Sequence, residues 1–227
     1  MFKKKLANFF LALLCLHAVF YCVLYFLDIY GFSRVIAVFS IPLLIVYYVL
    51  KSVKIDYFFI VSLTFVFIGD VINSFYPVVY NMYIVLYALN LAYYSYYILR
   101  ELGDKMTVKN VLLPAIPYTG LYIVTFYYLS AYLRGVSVEL ILIYNFFMGV
   151  FVVSTWIKFM VSKGKGKIYS LVSSTAIILM SILFMFNEFI YFNKIVNDFI
   201  INFLFLGAHL FMTLYVVDKE NAKYNPK

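Results

Sequence analysis

The feature that most constrains this chain is a succession of long apolar runs separated by short stretches of charge or turn residues. Read from one end to the other, the runs lie near 6–27, 34–50, 57–75, 78–99, 110–129, 138–160, 168–192 and 198–217. A helix needs about 20 predominantly apolar residues to cross the roughly 30 Å hydrocarbon core of a bilayer, and each run approaches that length. Apolar residues make up 66% of the 227 residues and charged ones only 12%, with a mean hydropathy of +0.98. A soluble domain carries about 25% charged side chains, and its core could not hide so much apolar surface. The expected fold is therefore all-α: a single polytopic bundle of eight transmembrane helices over residues 1–227, with no room for an extramembrane domain. Asn73, Ser74 and Pro77 are the only marks between the third and fourth runs, which fits a tight hairpin or one kinked helix.

The basic residues orient the bundle. With the N-terminus inside, Lys3, Lys4, Lys5, Lys51, Lys54, Arg100, Lys105, Lys109, Lys158, Lys163, Lys165, Lys167, Lys219, Lys223 and Lys227 face the cytoplasm, against Arg34, Arg134 and Lys194 outside. That asymmetry obeys the positive-inside rule in every loop and puts both termini in the cytoplasm. A net charge of +8 is thus a matter of topology and anionic lipid headgroups, not of nucleic acid. Lys163-Gly164-Lys165-Gly166-Lys167 reads as a flexible basic loop of the same kind. The lysines at 3–5 followed by an apolar run resemble a signal peptide, but no small-x-small cleavage site follows, so an uncleaved first span is expected. Cys15 and Cys22, about 10 Å apart along a helix, are too distant to bridge and read as packing residues.

Polar groups within the runs are costly: about 2.5–3.5 kcal/mol for a charged side chain at a helix centre, so each should face a cavity or a partner. Asp70 stands about 20 Å along the third run at 1.5 Å per residue, with Asn73 one turn further and Gly69 permitting a close approach. In the seventh run Ser174, Ser181 and Glu188 repeat every seven residues, making one polar face on which Asn187 borders Glu188; Glu188 could equally reach the outer interface. The eighth carries Asn202, His209 and Thr213 on one stripe. The fourth carries Tyr80, Tyr83, Tyr87, Asn90, Tyr94 and Tyr97, which suits a hydrogen-bonded helix interface as well as a ligand wall. His17 reads as structural. No metal-ligand cluster, serine-nucleophile motif, nucleotide loop or voltage-sensing helix is present, so no cofactor is expected and the usable chemistry is that of carboxyl groups.

Taken together these residues resemble the YhhN-like, or lysoplasmalogenase, family of eight-span membrane proteins. The likeness is carried by Ile41-Pro42-Leu43 in the second run, Gly69-Asp70 in the third and Tyr87-Ala88-Leu89-Asn90-Leu91-Ala92-Tyr93-Tyr94 in the fourth. Leu183-Phe184-Met185-Phe186-Asn187-Glu188 in the seventh and Gly207-Ala208-His209-Leu210 in the eighth complete it. The sequence departs from the family pattern in having no Lys before Pro42, Asn90 where a His is common, and Asn187 in an Asp position. Either Glu188 supplies that carboxyl or the reaction is lost. The resemblance implies a hydrolase of lipid metabolism that cleaves the vinyl ether bond of lysoplasmalogen-type lysophospholipids in a bacterial inner membrane. Its partners would be membrane lipids, a lysophospholipid substrate among them. Such a reaction requires a proton for the alkene carbon, stabilisation of the oxocarbenium that forms, and water. Asp70 and Glu188 are the expected catalytic pair, and Asn73, Tyr87, Asn90, Tyr94, Asn187 and His209 the expected substrate-binding groups. The competing expectation is a non-catalytic lipid- or small-solute-binding or transport bundle using the same polar interior.

Overall fold

The computed structural model describes residues 2–27, 35–76, 80–130, 137–162, 164–190 and 194–224, and all regular structure among them is helical. The elements are α1 (Phe2–Phe26), α2 (Ser40–Lys51, preceded by a helical turn at 35–38), α3 (Tyr57–Phe75), α4 (Tyr80–Leu102), α5 (Val108–Ser130), α6 (Val138–Val161), α7 (Gly166–Ile190) and α8 (Lys194–Tyr224). Seven of the described helices are long and apolar enough to cross a membrane, and the helical segment Val35–Lys51 falls short of that length. Large apolar side chains such as Phe58, Ile116, Phe146 and Phe203 are exposed on the outer surface, as expected of helices solvated by lipid. The chain is a multi-pass integral membrane protein.

Local sequence explains where helices start and break. Asp56 caps α3 by accepting from the backbone N–H groups of Phe58 (2.9 Å) and Phe59 (3.3 Å), and Ser137 caps α6 through the N–H of Leu140 at 3.4 Å. Pro42 sits in the first turn of α2, where its missing N–H is tolerated, and the regular helix is interrupted one turn earlier at Phe39. The apolar run ends near 217, yet α8 continues to Tyr224 because its last turns have partners. Glu220 accepts from the Tyr97 hydroxyl (3.1 Å), Asn221 Oδ1 accepts from the N–H of Val53 (3.3 Å), and Tyr224 lies under the Lys54 ammonium.

The packing order is a ring. α2, α3, α4, α6, α7 and α8 each touch the next, α8 closes back on α2, α1 lies against α2 and α8, and α5 lies outside against α6 and α7. α3 and α4 form an antiparallel pair: Tyr93 bonds to Asp56, Tyr94 stacks on Phe59, Asn90 bonds to Ser62 and Tyr87 bonds to Asp70. The third and fourth runs are therefore a hairpin, and the kinked-helix alternative is set aside; residues 77–79 lie outside the described residues. The serine face of α7 docks on its neighbours. Ser174 pairs with Thr155 of α6 at 2.6 Å, Ser181 with Tyr144 at 3.0 Å, and Ser173 donates to the Ala208 carbonyl at 2.8 Å. Lys3 donates to the Ser52 carbonyl, and Lys54 covers Tyr224, so both described ends of the chain lie at one end of the bundle.

Among the described residues, α5 makes a close contact with its neighbours at Gly149. The Tyr118 ring lies on Gly149 of α6, where an added Cβ would stand 2.5 Å from a ring carbon, and the Tyr118 hydroxyl donates to the Asn145 carbonyl at 2.9 Å. Gly149→Ala is expected to cost about 1–3 kcal/mol through this clash. Gly120→Ala, which meets nothing within 4 Å, should leave the melting temperature unchanged, so thermal unfolding of the two variants side by side checks the contact.

Candidate functional site

Asp70 lies on the face of α3 turned toward α4. There the Tyr87 hydroxyl donates to its Oδ1 at 2.5 Å. The Tyr87 ring is fixed edge-on by Tyr83 (5.6 Å between centroids) and Phe205 of α8 (6.1 Å), and it covers Gly69 at ordinary contact distance, 3.5 Å from where a Cβ would stand. Tyr87 is thus a rigid donor aimed at one carboxyl oxygen.

Asp70 remains half-buried because it borders a cavity of about 70 Å³ walled by α1, the break before α2, the second half of α3 and the first half of α8. The lining is unusually polar for an intramembrane position, with Asn73 and Ser74 from α3, Ser40 from α2, His17 and Tyr21 from α1, and Asn202 from α8. These groups hold one another: His17 Nε2 pairs with Ser40 Oγ at 3.0 Å, and Asn202 Nδ2 donates to the Tyr21 hydroxyl (2.6 Å) and the Asp198 carbonyl (2.8 Å). One turn further out the Tyr25 hydroxyl donates to Asp198 Oδ2 at 2.8 Å. A cavity of this volume holds one or two waters, each taking about 30 Å³ in the liquid, with enough donors and acceptors to order them.

The expected site residues divide between three places. Asp70, Asn73 and Tyr87 belong to the cavity or bond directly to its carboxyl. Asn90 instead clasps the α3–α4 pair, donating to Ser62 Oγ (2.7 Å) and the Ser62 carbonyl (3.2 Å). Tyr94 and His209 form a buried pair in the aromatic centre, with Tyr94 Oη 2.9 Å from His209 Nδ1, and Phe59, Phe151 and Phe205 packed around them. The side chains of Asn187 and Glu188, in the last turn of α7, lie outside the described residues, as does that of Tyr80. Read as structural from sequence, His17 lines the cavity, and Tyr21, Tyr25 and Asp198 were not singled out at all. The signal was there: His17, Tyr21 and Tyr25 recur every four residues and so share one face of α1. Among the described residues, no group of three or more His, Cys, Asp or Glu side chains converges to hold a metal ion.

A second polar cluster closes the opposite end of the bundle. Glu101 of α4 pairs with Lys158 of α6 and with Lys219 of α8 (2.5 Å), and accepts from the Tyr215 hydroxyl at 2.9 Å, while Lys219 lies 3.7 Å from the centre of the Tyr97 ring. Two of the lysines that orient the chain are thus also structural ties. No protein-family model matches this chain, nor does any curated protein or solved structure. The likeness to the lysoplasmalogenase family therefore rests on the short motifs quoted above.

If Tyr87 and Asp70 act as one unit, Tyr87→Phe and Asp70→Asn will not be additive. A double-mutant cycle on thermal unfolding should give a coupling of about 0.5–3 kcal/mol, and additivity would show that the two side chains are energetically independent.

Proposed function

We propose that the chain crosses the membrane eight times with both ends in the cytoplasm, and that it is a lipid hydrolase acting on vinyl-ether lysolipids with Asp70 as its acid. The topology is supported by the charge asymmetry and by the gathering of Lys3, Ser52, Glu101, Lys158, Lys219 and Tyr224 at one end of the bundle. The observation that carries the chemical reading is the pairing of Asp70 with the Tyr87 hydroxyl beside a polar, water-sized cavity inside an apolar bundle.

In this reading the Asp70 carboxyl gives its proton to the alkene carbon remote from oxygen, the one that bears the alkyl chain, leaving an oxocarbenium at the carbon bonded to oxygen. The carboxylate left behind, still held by Tyr87, faces and stabilises that cation. A water in the cavity, positioned by Asn202, Tyr21 and Asn73, attacks the same carbon and returns its proton to Asp70. The hemiacetal then breaks, its hydroxyl proton passing to the departing glycerol oxygen, and releases a fatty aldehyde and a glycerophospho-alcohol. The cavity takes the reacting atoms and water only, so the acyl-like chain and the headgroup must lie along the outside of the bundle. The same small volume, set against the roughly 300–1,000 Å³ of pockets that enclose whole ligands, favours as a second reading a bundle that binds a small solute without chemistry.

Two experiments test these statements. With Cys15 and Cys22 replaced by Ser, a membrane-impermeant thiol reagent should label Lys194→Cys in intact cells and Lys165→Cys only after lysis; labelling of both from one side would refute the topology. Purified protein given a lysoplasmalogen should release aldehyde, and Asp70→Asn should reduce release by two orders of magnitude or more, the typical weight of general acid catalysis being about 10²–10⁴. Absence of turnover in the wild type on any vinyl-ether lysolipid would leave the solute-binding reading.

A further inference from the structure

We propose that the cavity beside Asp70 is a binding site for one small monovalent cation, either an alkali-metal ion or a primary ammonium group. The inference is independent of lipid hydrolysis, because it rests on what the cavity wall can hold and is read by binding.

Charge is the first reason. Asp70 lies deep in the membrane-length part of α3, and no Lys or Arg is among the described residues that line its cavity: beside it stand the Tyr87 hydroxyl that bonds to Oδ1, the Asn73, Ser74, Ser40, Tyr21 and Asn202 side chains and the His17 imidazole, with the Asp198 carboxyl one turn further out. The lysines that form described ion pairs, Lys158 and Lys219, are at the opposite end of the bundle on Glu101. A half-buried carboxylate at membrane depth with no cationic partner among the described residues is costly, and a bound cation removes that cost. One carboxylate balances one positive charge, whereas divalent sites gather several acidic ligands.

The donor set is the second reason. Carboxylate, amide and hydroxyl oxygens suit hard cations and ammonium groups; the two softer groups of the lining, His17 and Cys22, are taken up by Ser40 and by the Ala18 carbonyl. Asn202 directs its Nδ2 to Tyr21 and to the Asp198 carbonyl, which leaves Oδ1 as its acceptor. Pro42 has no N–H to give to the Val38 carbonyl one turn earlier, and Val38 itself lines the cavity. That carbonyl lacks the helical partner that a residue other than proline would supply. Interrupted backbone at membrane depth is tolerated only where protein buries it or where it lines a polar cavity, and broken helices supply carbonyl ligands to ions in membrane transporters. The break at Phe39 falls at such a place. Volume is the third reason: about 70 Å³ admits a dehydrated alkali ion with a water, or an ammonium head, and excludes bulky quaternary ions.

The test is thermal unfolding of the purified full-length protein in lipid nanodiscs at constant ionic strength. Lithium, sodium, potassium or methylammonium chloride is titrated against N-methyl-D-glucamine chloride, whose cation is too large to enter. A saturable rise in melting temperature is expected with at least one small cation. Response to an alkali ion identifies a metal-ion site, and response to methylammonium alone identifies an ammonium site. Asp70→Asn should abolish the rise, while Glu101→Gln, at the far end, should retain it. Should Asp70→Asn fail to fold, Asn202→Ala is expected to move the half-saturating concentration upward by on the order of tenfold. A flat response to every small cation, an equal response to N-methyl-D-glucamine, a rise that persists in Asp70→Asn, or an unshifted half-saturating concentration in Asn202→Ala would overturn the proposal. Aldehyde release enters none of these readouts, so hydrolysis and cation binding can fail separately.

Discussion

The tyrosine face of α4 is the structure on which the rest of the bundle depends. Phenol groups spaced three and four residues apart project from one helix and find hydrogen-bond partners on two of its neighbours, α3 and α8. Tyr87 reaches Asp70 of α3, and Tyr94 and Tyr97 reach His209 and Glu220 of α8. Inside a bilayer the hydrophobic effect does not drive helices together, since lipid tails are as apolar as leucine; packing and hydrogen bonds must do it. Tyrosine suits this task because a large ring fills the space between helices while a single polar atom fixes their register. The aromatic centre formed by Phe59, Tyr94, Phe151, Phe205 and His209 follows directly from that arrangement.

From this centre the two ends of the bundle diverge in character. The end rich in lysine is tied by charge: one glutamate, Glu101, holds α6 and α8 to α4 through Lys158, Lys219 and Tyr215. At the other end hydrogen bonds, without a described ion pair, close a small polar chamber, and its outer wall is the His17–Tyr21–Tyr25 face of α1. Among the described residues α1 packs chiefly against α2 and α8, so the wall of the chamber is also an edge helix of the bundle. At this end α1 is held by the His17–Ser40, Tyr21–Asn202 and Tyr25–Asp198 contacts among others.

Most of the architecture could be read before any coordinates. Long apolar runs dictate helices, because only internal hydrogen bonding satisfies a backbone in hydrocarbon. The third run coincides with α3 from Tyr57 to Phe75, and the hairpin after it follows from Asn73, Ser74 and Pro77. Boundaries slipped where tertiary contacts extend a helix, as in the last turns of α8, or where a proline shortens one, as in α2. Asp70 stood out because an acid at that depth is costly anywhere. His17, Tyr21, Tyr25 and Asp198 did not, since each is unremarkable alone and matters only through the partner opposite it.

The division has a physical cause. Hydrophobic length, charge asymmetry and the three-four spacing of polar residues are properties of one helix, and the sequence by itself determined them: a helical membrane protein, its expected orientation, and the faces that carry its polar groups. Which face meets which depends on packing between segments far apart in the chain, and only the tertiary structure decided it. It sent Asn90, Ser174 and His209 to helix interfaces, and it brought α1, α2, α3 and α8 together around a single carboxyl. An amphipathic stripe looks the same in sequence whether it faces a partner or a cavity; the difference between glue and site is made by what lies across from it.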